Sequence, residues 1–127
     1  MKFSLEAPNN ANQIHSYDNN GVVIKHNQSK QYYASNSTLI ITPNQIITDC
    51  LINDITEITS GDIAYFKTLN PEVILFSAQA NKRFSPQLMV AFSHHAIGVE
   101  IMTLGAACRT YNLLVSEGRQ TVLILLP

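Results

Sequence analysis

The chain has 127 residues, one domain's worth of sequence and enough for a single hydrophobic core. Apolar residues make up 46% and charged residues 13%, about half the usual charged share, with 8 basic against 9 acidic side chains and a net charge of −1. No block of Lys or Arg occurs, which argues against a nucleic-acid partner and against a polybasic membrane-surface patch, and no apolar run approaches the roughly 18 residues that span a bilayer.

The opening MKFSLEAPNNANQ holds one Lys but no apolar segment, so it does not read as a secretory signal. The expectation is a cytoplasmic protein with both cysteines reduced. Cys50 and Cys108 are far apart and form no CxxC, so neither zinc nor redox spacing applies.

Asn-rich turns (9–13, 18–21 and 27–30) separate short runs that alternate or stay apolar over strand length, at 13–17, 22–25 and 31–35. TLIIT (38–42) is a further β-branched strand, and 44–52 could extend that sheet. Residues 60–70 change period: Ile63, Phe66 and Leu69 recur every third position, with Ser60 as the expected cap and Pro71 as the stop.

EVILF (72–76) reads as a strand buried on both faces. Ser85 then Pro86 open a helix over 85–96. A strand follows at 98–102, then a helix over 103–118 with Thr103 as cap and Gly118 as stop. Its stripe is Leu104, Ala107, Cys108, Tyr111, Leu114 and Val115. The last strand is 120–126. A β-rich antiparallel N-terminal half thus precedes a βαβαβ C-terminal half, within one layered α/β domain over 1–127.

Few residues carry chemistry. Cys108 lies on the apolar stripe, so it reads as a small buried hydrophobe rather than a thiolate stabilised by Arg109. Arg109 sits on the flank of that stripe, with Glu100 on the preceding strand as its expected partner. A structural network is favoured over an anion site at the strand ends. Lys82 and Arg83 occupy a glycine-free loop and read as solvated, as do Asp54 and Glu57. His94 and His95 are adjacent, not spaced i, i+4 as metal ligands are, and His15 and His26 are isolated. No catalytic serine, phosphate-loop or dinucleotide motif occurs, so no catalytic residue, metal or cofactor is assigned.

AIGVEIMTLGAACRTYNLLVSEGR (96–119) resembles one small family of uncharacterised domains. That family includes mitochondrial respiratory complex I assembly factor three and the adipogenesis-associated cytosolic protein. PEVILF, RFSP and IHSYDNNGVVI extend the resemblance over most of the chain. It implies a three-layer α/β fold with a mixed central sheet, and a non-catalytic factor that binds protein partners, linked to respiratory complex assembly. It singles out Glu100, Arg109, Tyr111 and Asn112. Departures from the pattern fall at Ser77-Ala78-Gln79, where glycines are usual, at Thr103-Leu104 in place of Asp-Thr, and at Cys50 in place of Trp. The alternative is a small-molecule or anion-binding protein or enzyme with a site around Arg83, Glu100, Arg109 and Asn112. Low charge and apolar segments could also supply a homo-oligomer interface.

Overall fold

The computed structural model describes residues 10–78 and 82–127. The strands are β1 (Gln13–Asp18), β2 (Gly21–His26), β3 (Ser29–Ala34), β4 (Leu39–Ile41), β5 (Ile46–Ile47), β6 (Val73–Ser77), β7 (Gly98–Met102) and β8 (Thr121–Leu125). The helices are α1 (Ser60–Thr68), α2 (Pro86–His94) and α3 (Leu104–Ser116), with a short 3-10 turn at Ile55–Glu57.

Two sheets form. β1, β2 and β3 make an antiparallel meander, and a mixed sheet runs β5-β4-β8-β6-β7. In the mixed sheet β8 pairs parallel with β6 and antiparallel with β4. The N-terminal strands are antiparallel as expected, and β4 leaves the meander to join the C-terminal strands. Of the span 44–52, Ile46–Ile47 alone is strand.

Side chains alternate across the mixed sheet as the pleat requires. Leu39, Ile41, Leu75, Leu123 and Leu125 face α3 and the meander, where they meet Ile14, Val22 and Ile24. Ile40, Ile74, Phe76, Val122 and Ile124 face α1 and α2. The fold is therefore three layers: α1 with α2, the mixed sheet, then α3 with the meander. On the α1–α2 side Phe76 is packed edge-on by Phe66, Phe84 and Phe92, at ring-centroid distances of 6.3, 5.2 and 6.3 Å.

Local chemistry sets the element ends. The cap of α1 is Thr59, not Ser60. Thr59 Oγ1 accepts from the Asp62 N–H at 3.2 Å, and Asp62 Oδ2 accepts from the Thr59 N–H at 2.8 Å. Ser85 caps α2 by accepting from the Leu88 N–H at 3.2 Å, with Pro86 in the first turn as expected. Gly118 ends α3 with φ 78°, a left-handed stop that glycine adopts without strain. At the β1–β2 turn Asp18 Oδ1 accepts from the N–H groups of Asn20 and Gly21 at 2.7 and 3.1 Å.

Candidate functional site

Helix α3 presents two faces. Its apolar stripe buries Ala107, Cys108, Tyr111 and Val115 against the mixed sheet. Its polar side chains reach β1. Tyr111 donates its hydroxyl to the Asn12 carbonyl at 3.0 Å. Asn112 bonds both main-chain groups of Ile14, each at 2.9 Å. Arg109 Nη1 donates to the Tyr17 hydroxyl at 2.7 Å, where Gly105 leaves the space for both side chains. CRTYN thus clasps the meander onto the helix, and the β1 register shifts between Ile14 and Ser16 beside that clasp.

The expected Arg109–Glu100 pair does not form. Glu100 is exposed on the edge strand β7, and Arg109 turns instead to a tyrosine 92 residues away in sequence. No sequence spacing announces that contact. Arg83 is exposed ahead of α2. Among the described residues neither Arg83 nor Glu100 bonds to Arg109, Tyr111 or Asn112, so the five candidates divide into a clasp of three and two separate surface residues.

Cys108 is 1% exposed. Burial pushes its thiol up to about 11, with the Arg109 charge opposing weakly. Burial likewise raises the Tyr111 phenol above its ordinary range. Both groups are neutral at physiological pH.

Asp54 and Lys82 are part-exposed and form an ion pair. Asp54 Oδ1 accepts from the Thr56 N–H at 3.0 Å and Oδ2 pairs with Lys82 Nζ at 3.0 Å. These hydrogen bonds, the Thr56 N–H first, lower the Asp54 carboxyl to about 2. His26 Nδ1 lies 3.0 Å from Asn12 Oδ1, and the His95 carbonyl accepts from Lys67 at 2.8 Å. Among the described residues no group of three His, Cys, Asp or Glu side chains stands close enough to hold a metal.

A cavity of about 370 Å³ lies at the carboxyl ends of the parallel strands, the strand-end position weighed above for a ligand site. Ser77 and Ala78 at the end of β6, Leu125 and Leu126 of β8, and Thr103 and Leu104 at the start of α3 form one wall. Gly21, Val22, Tyr33 and Ala34 of the meander form the other. The chain moves from β6 to β7 on one side and then passes to β8 on the other, and such reversals leave crevices at the strand ends. The described lining side chains carry no charge. The departures at Ser77-Ala78 and Thr103-Leu104 all line this cavity, while Gln79 lies outside the described residues.

Residues 14–126 match the model of a family described as protein of unknown function (DUF498/DUF598). The 13 kDa major membrane protein of Francisella tularensis subsp. holarctica is 29% identical over 93 residues, covering 72% of this chain and 76% of that protein. NADH dehydrogenase (ubiquinone) 1 alpha subcomplex assembly factor 3 of Mus musculus is 32% identical over 74 residues, 56% of this chain. The match spans 40% of the mouse protein's length. A crystal structure of a Bordetella parapertussis protein superposes with TM-score 0.73 at 26% identity, covering 92% of this chain and 96% of that one. A Mth938-like domain from Bordetella pertussis, 22% identical and covering 100% of this chain and 92% of that one, gives a TM-score of 0.71 and supports the fold alone. The resemblance carried by residues 96–119 is borne out by these relatives.

Proposed function

The chain belongs to the DUF498/DUF598 family of proteins of unknown function, and from that membership we propose that it is a non-catalytic protein-binding factor that assists the assembly of other proteins. One observation carries the reading: 32% identity over 74 residues to a protein named as an assembly factor of NADH dehydrogenase. A respiratory complex is accordingly the partner class, met from the cytoplasmic side of the membrane. No helix among the described residues is long and apolar enough to cross a membrane. The Francisella relative's name fits a factor that travels with membranes. The clasp lends support: Tyr111 bonds to the Asn12 main chain and Asn112 to that of Ile14 in β1, and so they shape a surface.

The test is removal of the protein from cells that make it, followed by native electrophoresis of their membrane complexes. The expected result is less assembled NADH dehydrogenase at unchanged subunit synthesis, restored by the wild-type chain. Unchanged amounts of every respiratory complex, with no protein cross-linked to the tagged chain, overturn the reading.

A further inference from the structure

β3 is an edge strand: among the described residues it pairs with β2 alone. Its register fixes which main-chain groups look outward. His26 pairs with Ser29 across the two-residue turn Asn27–Gln28, where Asn27 has φ 55°. That closing pair exchanges both of its hydrogen bonds, and bonded pairs then alternate along the ladder. Gln31 and Tyr33 therefore bond to Ile24 and Val22. The Ser35 N–H continues the series, donating to the Asn20 carbonyl at 2.8 Å. Lys30, Tyr32 and Ala34 turn their N–H and C=O groups away from β2, and no hydrogen bond from another described residue reaches them. All three residues are exposed.

The Tyr32 side chain does not cover this edge. Its hydroxyl donates to the Asn20 carbonyl at 2.9 Å and its ring lies over Gly21, so it leans back across its own sheet.

An open edge is a template for another strand, and this one complements itself. A two-fold axis at Tyr32 sets Tyr32 against Tyr32 of a second copy, and Lys30 against that copy's Ala34 in both directions. Every outward group then has a partner, about six N–H···O bonds at two per bonded pair. Centred on Gln31 or Tyr33, the pairing runs off the end of the strand and makes fewer. Centred on Lys30, it sets two ammonium groups face to face, which is unfavourable. In the Tyr32 register the two lysines stand about 14 Å apart along the strands, beyond the screening length of about 8 Å at physiological salt. We infer that β3 is a self-association edge, pairing antiparallel with β3 of a second copy about an axis at Tyr32, so that two meanders form one continuous sheet.

The experiment is sedimentation velocity of the full chain from about 10 μM to 1 mM. A monomer–dimer equilibrium is expected, with a Kd of about 0.5 mM or tighter, in keeping with a small interface. Ala34→Lys, at an exposed position, opposes Lys30 of the second copy at both ends and should weaken the dimer about fivefold or more. Adding Lys30→Glu restores opposite charges there and should return the Kd to within about twofold of wild type. Ala34→Pro removes an N–H that the meander does not use. It should leave the chain folded and weaken the dimer at least about tenfold. A monomer throughout the range, a dimer unchanged by folded Ala34→Lys or folded Ala34→Pro, or a weakened Ala34→Lys dimer that Lys30→Glu does not rescue would each overturn the inference.

Discussion

Asn112 on α3 holds Ile14 on β1 by both main-chain groups, 98 residues apart in sequence, with donor and acceptor distances of 2.9 Å each. An asparagine amide is the one neutral side-chain group of that size that can donate and accept in this pattern, so it stands in for a neighbouring strand. Asn112→Ala leaves both groups of a part-buried strand unpaired, and the expected cost is about 2–3 kcal/mol in urea unfolding. Asn112→Asp should cost at least as much, because a carboxylate cannot donate to the Ile14 carbonyl.

Arg109 gives the contrasting case. Its bond to Tyr17 is exposed. Arg109→Ala and Tyr17→Phe should each cost about 1 kcal/mol or less by the same measurement, and the double variant no more than either single change. A loss above about 2 kcal/mol for either would show that the clasp depends on the guanidinium rather than on Asn112 and Tyr111.

Gly21 is fixed by space. A Cβ there would collide with the Tyr33 carbonyl oxygen on β3, a main-chain atom that cannot swing away. Gly21→Ala should lower stability by about 1–3 kcal/mol. Gly118, whose Cβ would meet nothing within 4 Å, tests a different term: Gly118→Ala should cost about 1 kcal/mol, from its φ of 78° alone.

The two thiols should separate chemically. Cys50 is half-buried and Cys108 is 1% exposed. At pH 8 a disulfide reagent should label one thiol per native chain rapidly, and the second only after denaturant is added. Rapid labelling of both in the native protein would contradict the packing around Cys108.

Alkaline pH should weaken the fold through α3. Cys108 and Tyr111 are both held protonated by burial, Cys108 up to about 11. In the unfolded chain a thiol ionises near its ordinary value, about 8.5. Folded groups with raised values stabilise fully below the unfolded value and lose that contribution as pH climbs through the folded one. Urea midpoints should therefore be level below about pH 8 and fall toward pH 11, with a shallower fall in Cys108→Ala.

Legibility followed range. The α3 stripe, its Gly118 stop and the strand pattern after residue 72 repeat at short intervals and could be read locally. The α1 cap was displaced by one residue because Asp62, rather than Glu or Gln, completes the box with Thr59. What spacing could not convey was partnership over long separations: β4 with β8, Arg109 with Tyr17, Tyr111 with Asn12. The meander wall of the cavity was illegible for the same reason, since the lining comes from five separated stretches of chain.

β8 lies between β4 and β6, although it is made from residues 121–125. While the polypeptide is being synthesised, β4–β5 and β6–β7 are two ribbons with no common neighbour, each exposing Ile and Leu on both sides. They can merge only after Thr121–Leu125 has cleared the ribosome exit tunnel. The nascent chain therefore needs shielding of both ribbons until the strand that joins them emerges.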